Sequence, residues 1–142
     1  MRLERTVETS APPERVFAYL SDFTNTVEWD PGTVSTTRRS GDGGVGTVYD
    51  NVSEFNGRET ELVYEVVRYE PPRLVQLRGE NKTVTAVDTV EVRPLGEGSS
   101  VTYTADFTFK GLARLAVPFL GRAFARLGDE AETGLREALA KL

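Results

Sequence analysis

From Thr33 to Phe109 the chain reads as strand throughout, and only after that, from about Gly111 to Leu142, does it turn helical. This order is the strongest constraint the sequence supplies. A run of short strands joined by tight turns makes an antiparallel meander, because parallel pairing needs long crossovers between strands. Such a sheet has one apolar face to cover, and a single amphipathic helix placed last is what remains to cover it. Leu120, Phe124, Leu127, Ala131, Leu135, Ala138 and Leu142 recur in steps of three and four, the stripe of a helix with one buried face. The opposite face carries Arg126/Glu130, Glu132/Arg136 and Glu137/Lys141 at i,i+4 spacing, which suits a solvated surface. Pro118 cannot sit in a helix interior without a kink, so the regular helix is expected to begin near Val117-Pro118, with Leu112–Val117 as a separate turn in the alternative reading. Gly128 and Gly134 each cost roughly 1 kcal/mol relative to Ala in a helix interior. They need a reason, either close approach to the sheet or motion.

The seven expected strands begin with the alternation around Leu3 and Val7. They continue with Thr33–Ser40, Thr47–Phe55, Arg58–Tyr69, Arg73–Gly79, Thr83–Val92 and Ser99–Phe109. Thr33–Ser40 is β-branched and polar, the composition of an edge strand. Between the first two strands, Ser10-Ala11-Pro12-Pro13-Glu14 signals a helix start, with Val16, Phe17 and Leu20 on one face. Asp22 is placed to cap a second short helix that runs to about Trp29, and Asp30-Pro31-Gly32 ends it in a turn. The chain of 142 residues shows no linker and no repeat, so residues 1–142 read as one domain of the α+β class. A curved sheet holding one helix seldom fills its interior, and a pocket between helix and sheet is expected.

Composition narrows the chemistry. Cysteine and histidine are both absent, which excludes thiolate nucleophiles, Ser-His-Asp triads and Cys- or His-ligated metals. Any acid–base chemistry falls to carboxylates, Tyr, Lys or Arg. The net charge of −5, with no basic run longer than Arg38-Arg39, argues against a nucleic-acid partner. No apolar run is long enough for stable insertion into a membrane. The first residues lack the apolar stretch of a signal peptide, so a cytoplasmic location is the default expectation. No metal or cofactor is called for. Gly41-Asp42-Gly43-Gly44-Val45-Gly46 matches G-x-G-x-x-G literally, but strand-like Thr47-Val48-Tyr49 follows it where a dinucleotide site needs a helix, so it reads as a hairpin turn.

Several of these segments together resemble a family. Ala11-Pro12-Pro13-Glu14-Arg15-Val16-Phe17-Ala18-Tyr19-Leu20-Ser21-Asp22 resembles the opening of polyketide cyclase/dehydrase-like members of the START-like (Bet v 1-like, SRPBCC) superfamily. Trp29-Asp30-Pro31-Gly32, Gly46-Thr47, Glu70-Pro71-Pro72-Arg73-Leu74-Val75 and Gly98-Ser99-Ser100-Val101-Thr102-Tyr103 follow in the same order, so that the resemblance covers the whole chain. It implies a helix-grip fold, a single START-like domain with a deep, mostly apolar cavity. It also implies a small hydrophobic partner such as a lipid or polyketide, while some members are cyclases or aromatases.

Within that frame the candidate ligand-binding residues are Trp29, Tyr49, Asn51, Tyr64, Asp88, Tyr103, Phe107 and Phe124. Asp88 is the sharpest, because it shares the apolar parity of Val84, Ala86, Val90 and Val92; turned inward it would be a carboxyl in a low-dielectric cavity. The alternatives are a register break or bulge that turns it outward, or a pairing with Arg78. Tyr64 and Tyr103 have apolar neighbours at their parity and can line a cavity or sit in the core. Which face of their strand Tyr49 and Asn51 occupy is open. Trp29 either stands at the pocket mouth or wedges the short helices against the sheet. Three functions fit: binding or transport of a small hydrophobic ligand, a cyclase/aromatase-type enzyme using a cavity carboxylate and Tyr, or an interaction module whose cavity Phe107, Phe109, Phe119 and Phe124 have filled. No catalytic set is recognisable, and the domain is expected as a monomer or homodimer.

Overall fold

The computed structural model describes residues 1–142. Its elements in order are β1 (Arg2–Thr9), α1 (Pro13–Ser21), a 3-10 turn (Phe23–Asn25), α2 (Thr26–Trp29), β2 (Thr33–Ser40), β3 (Val48–Phe55), β4 (Arg58–Glu70), β5 (Leu74–Glu80), β6 (Val84–Leu95), β7 (Gly98–Phe109), a 3-10 helix (Gly111–Phe119) and α3 (Gly121–Leu139). All seven strands join one antiparallel sheet in the order β1-β7-β6-β5-β4-β3-β2. The expected meander is therefore present, with β2 at one edge and β1 closing the other against β7. Register shifts in the β2–β3 pair and between Val66 and Arg68 in the β4–β5 pair bend the ladder locally. The glycine-rich turn at 41–46 joins β2 to β3 with no helix after it, as the hairpin reading requires. No helix is long and apolar enough to cross a membrane.

The core lies between the inward parity of the sheet and the helices. Val84, Ala86, Asp88, Val90 and Val92 are buried along β6 while the alternate residues are wetter. From β3 the inward set is Tyr49, Asn51, Ser53 and Phe55, and from β4 it is Leu62, Tyr64 and Val66. One half of this face is covered by α1 and the short elements after it, through Val16, Phe17, Leu20, Phe23 and Trp29. Pro12 is the residue before α1, and Pro13 opens the helix, where a missing N–H costs nothing. Asp22 caps as expected, its carboxylate accepting the Thr24 N–H at 3.1 Å, but it starts a 3-10 turn that leads into α2 rather than one continuous helix.

The other half is covered by α3, which buries Phe124, Ala131, Leu135, Ala138 and Leu139. Its start differs from expectation. The α-helix begins at Gly121, and Gly111–Phe119 forms a separate 3-10 helix containing Pro118. Proline lacks the N–H that an α-helical turn would use at that point, and Leu120, at φ −100° and ψ 0°, is the joint between the two pieces. Both interior glycines of the helix, Gly128 and Gly134, are explained by close approach. A Cβ on Gly134 would fall 1.8 Å from the Trp29 carbonyl oxygen, and one on Gly128 would meet the Arg5 guanidinium at 2.6 Å. Arg5, in turn, ties β1 to α3 through Asp129 at 3.1 Å and Glu132 at 3.6 Å. Of the three i,i+4 pairs read along the helix, Glu132/Arg136 forms, at 3.0 Å.

Candidate functional site

Between α3 and the sheet lies a cavity of about 160 Å³. Its wall is mostly apolar: Leu3, Leu62, Val84, Phe107, Phe109 and Phe124 are among its lining residues. A polar group sits at the inner end. Asp88 points inward, because the β6–β7 register runs unshifted from Val84 to Leu95 and no bulge turns the side chain outward. Arg78 faces the opposite side of the sheet and pairs with Glu80 at 2.9 Å, so the alternative pairing with Asp88 does not occur. Tyr103 donates its hydroxyl to Asp88 Oδ2 at 2.7 Å, and Tyr64 donates to Oδ1 at 3.4 Å. Tyr103 comes from β7, the strand next to Asp88. Tyr64 comes from β4, two strands away, and its ring crosses β5 over Gly79, its partner in the ladder.

Burial dominates the electrostatics of this cluster. It pushes the Asp88 carboxyl from its ordinary value near 3.8 up to about 7; the two tyrosine hydroxyls oppose the rise and the charge of Asp30 adds to it. Burial first, and then the Asp88 charge, pushes both tyrosines well above 10, so they stay protonated and act as donors. Asp30, at the end of α2, lines the same cavity. Its carboxylate accepts the Gly32 N–H and the Thr33 hydroxyl, each at 3.0 Å, and burial nonetheless raises its pKa. The cavity therefore holds one carboxyl that exchanges its proton near neutrality, two fixed hydroxyl donors, and a second carboxyl anchored to the turn that ends the short helices. Such a set can bind a polar group at the end of an apolar ligand and can move a proton to or from it.

The outer end is an aromatic cluster. Phe124 of α3 packs against Phe55 at 4.7 Å, Phe107 at 5.1 Å and Phe109 at 5.9 Å between ring centroids. Beyond it an open groove of about 430 Å³ shares Gly32, Glu54, Phe55 and Leu127 with the cavity wall and carries Arg126 and Glu130 at its rim. The groove thus lies beside the cavity, between α3 and the β3–β4 hairpin.

A family model described as "Polyketide cyclase / dehydrase and lipid transport" matches residues 1–142. The chain belongs to that family. Among curated proteins it is similar to Toxin Rv0910 of Mycobacterium tuberculosis, 29% identical over 106 residues, or 72% of each chain. Among solved structures it resembles the Zhui aromatase/cyclase from Streptomyces sp. R1128, with a TM-score of 0.82, 16% identity, and 98% of this chain and 93% of that one covered. A START superfamily protein from Mycobacterium smegmatis gives a TM-score of 0.80 at 14% identity, covering 97% and 96%. At such identities the likeness is one of fold, and that fold is the helix-grip architecture of START-like proteins.

For this member of the polyketide cyclase/dehydrase family, the structure sorts the sequence candidates. Tyr64, Asp88, Tyr103, Phe107 and Phe124 line the cavity. Trp29, Tyr49 and Asn51 do not, although all three are buried. Trp29 is a wedge: its ring meets Tyr103 edge-on at 5.3 Å and its carbonyl rests on Gly134 of α3. Tyr49 packs on Phe23 at 5.9 Å, and Asn51 donates its amide N–H to the Thr36 hydroxyl at 2.9 Å, so the short helices and β2 occupy that end of the face. Phe119 points into solvent at 86% exposure and fills nothing. Sequence reasoning missed Asp30 as a cavity residue and read it as turn chemistry alone. The available signal was a carboxylate directly after a buried Trp, at the point where the chain re-enters the sheet.

Proposed function

We propose that the protein binds a small, largely apolar molecule of about one ring in size, seated by a single hydroxyl or carbonyl against Asp88. One observation carries this reading: an apolar cavity of about 160 Å³ ends on a buried carboxyl clamped by two tyrosine hydroxyls. An apolar cavity of roughly 150 Å³ is enough for a benzene-sized guest, whereas drug-sized ligands need roughly 300 Å³ or more. A larger lipid or polyketide would enter only if the Phe124 cluster moved towards the groove. The half-protonated Asp88 accepts from a hydroxyl when ionised and donates to a carbonyl when neutral, which favours phenols and aryl ketones over plain hydrocarbons. Trp29, the only tryptophan, touches Tyr103 and reports on the site. Titrating phenol, acetophenone and toluene while following Trp29 emission and ligand-detected NMR tests the reading. Tighter binding of the two polar probes, weakened in Asp88→Ala, supports it. Binding of none of them overturns it.

A second reading, catalysis of the cyclase/aromatase kind, draws on Asp88 with its pKa near 7 beside Asp30 in one cavity. That pair suits proton removal next to a carbonyl and return of a proton to oxygen, the steps of an aldol-type ring closure and dehydration. Deuterium exchange at the methyl group of bound acetophenone in heavy water, followed by NMR, separates the readings. Exchange that Asp88→Asn abolishes while binding persists makes the protein an enzyme. Binding without exchange leaves it a carrier.

A further inference from the structure

The segment between β7 and α3 carries no residue of the cavity wall, and none of its residues is buried. In a 3-10 helix side chains three apart eclipse one another. Leu112, Leu115 and Pro118 form such a row, with Phe119 at its end. Leu112 is 84% exposed, Leu115 71% and Phe119 86%. The other exposed large apolar residues, such as Val27, Val45 and Leu95, are scattered singly over the surface, while these three fall within one 3-10 helix.

The charge around the row is just as uneven. Residues 107–128 contain Lys110, Arg114, Arg122 and Arg126 and no Asp or Glu, in a chain whose net charge is −5. Lys110 is paired with Glu80 at 3.3 Å, but Arg114, Arg122 and Arg126 form no ion pair; Arg114 bonds only to the Gly111 carbonyl at 3.4 Å.

We infer that Gly111–Phe119 is a docking surface for an anionic lipid bilayer. The ridge of Leu112, Leu115 and Phe119 enters the boundary between headgroups and acyl chains, and the arginines lie at the level of the lipid phosphates. A protruding apolar ridge with a cationic flank is the form an interfacial segment takes, whereas a peptide partner would be met by a groove. A second copy of this chain is disfavoured because the same cationic segment would face itself. The segment joins Phe109 to α3, so docking would bring the Phe124 end of the cavity towards the bilayer, but the surface requires no ligand and stands apart from the cavity reading.

Co-sedimentation of the full chain with vesicles tests it, using phosphatidylcholine alone and phosphatidylcholine mixed with phosphatidylglycerol, at low and high salt. The expected result is binding to the mixed vesicles that weakens as salt screens the charges. Combining Leu112→Ser, Leu115→Ser and Phe119→Ser should weaken binding by at least about tenfold. Arg114→Gln and Arg122→Gln should each weaken it by roughly fivefold. Because none of these side chains is buried, circular dichroism and Trp29 emission should be unchanged, and the arginine variants keep the test valid if the triple variant misfolds. Three results would overturn the inference: no binding to mixed vesicles at low salt, equal binding by the variants, or a patch that holds polyglutamate or a second copy of the chain but not vesicles.

Discussion

Tyr64 lies across Gly79. A Cβ at position 79 would come within 2.6 Å of the Tyr64 ring, which is in the way because it crosses β5 to deliver its hydroxyl to Asp88 on β6. No residue larger than glycine leaves that path open. Gly79→Ala should therefore lift the ring and break the Tyr64–Asp88 hydrogen bond, which already stands at 3.4 Å, while the Tyr103 bond at 2.7 Å survives. The cost should be about 1–3 kcal/mol, as for other overpacked core sites. The Asp88 carboxyl should titrate higher, since the tyrosine bonds hold its pKa down. Urea denaturation and a carbon-13 NMR titration of Asp88 read the two effects separately. Unchanged titration of Asp88 in Gly79→Ala would show that Tyr64 contributes nothing to the site.

Asp88 also makes stability depend on pH in a definite direction. In the unfolded chain its carboxyl loses its proton near 3.8, and in the folded protein near 7. Between these values the folded state holds one proton more than the unfolded state, so stability falls as pH rises through the window. At about 1.4 kcal/mol per unit, the loss attributable to Asp88 is on the order of 4–5 kcal/mol once pH exceeds about 7. Asp30, also raised by burial, acts in the same sense. Glu70 and Glu80, lowered by their arginine and lysine partners, act in the opposite sense, losing their contribution as pH falls below about 4.5, and they cancel from a comparison of wild type with an Asp88 variant. Asp88→Asn keeps an oxygen for one tyrosine and removes the charge. Its urea midpoint should exceed that of the wild type near pH 8 and lose that advantage near pH 4. A constant difference between the two proteins across this range would mean that Asp88 does not titrate as its burial requires.

What the sequence disclosed about these groups follows from what each depends on. The inward direction of Asp88 rests on two-residue alternation, a local property of β6 that is visible in Val84, Ala86, Val90 and Val92. The meander and the terminal helix were readable for the same reason. The start of α3 was misplaced because Pro118 permits both a kinked α-helix and a 3-10 helix, and the choice lies in backbone geometry around Leu120. Tyr49 and Asn51 share the inward face with Ser53 and Phe55, yet only Ser53 and Phe55 of these reach the cavity. Position along the strand decides that, according to whether α1 and α2 or α3 lies above, and no periodicity within β3 encodes it. Asp30 was missed because its bonds to Gly32 and Thr33 are local and complete the turn; its place opposite Asp88 is purely tertiary.

The two interior glycines of α3, Gly128 and Gly134, should respond differently to substitution. At Gly134 the obstacle is backbone, the Trp29 carbonyl at 1.8 Å, and neither α2 nor α3 can yield without separating the elements that close the cavity. Gly134→Ala should cost at least about 3 kcal/mol and shift Trp29 emission. At Gly128 the obstacle is the tip of the Arg5 side chain, which can swing away. The variant Gly128→Ala gains about 1 kcal/mol of helix propensity and gives up part of a half-exposed ion pair worth about 0–1 kcal/mol. Its net change should stay within about 1 kcal/mol of zero. Thermal melts of the two variants decide the matter, and similar losses in both would refute the distinction between backbone and side-chain contact.

If the cavity holds a ligand as proposed, Phe124 should limit the size of guest it accepts. Its ring stands at the centre of Phe55, Phe107 and Phe109 and lines the cavity, while Phe55 also borders the outer groove. Truncating it should enlarge the cavity beside Phe55, which with Leu127, Glu54 and Gly32 forms the wall shared with the groove. Phe124→Ala should cost about 3–5 kcal/mol, as for other buried aromatic truncations. Unlike an ordinary core deletion, it should gain binding of two-ring probes such as 2-naphthol that the wild type excludes. Binding of phenol should fall at the same time, since the apolar wall around a single ring is thinned while Asp88 and Tyr103 are untouched. Parallel calorimetric titrations of the two probes measure this exchange of preference. If Phe124→Ala binds 2-naphthol no better than the wild type does, the ring is not the barrier and the ligand enters elsewhere.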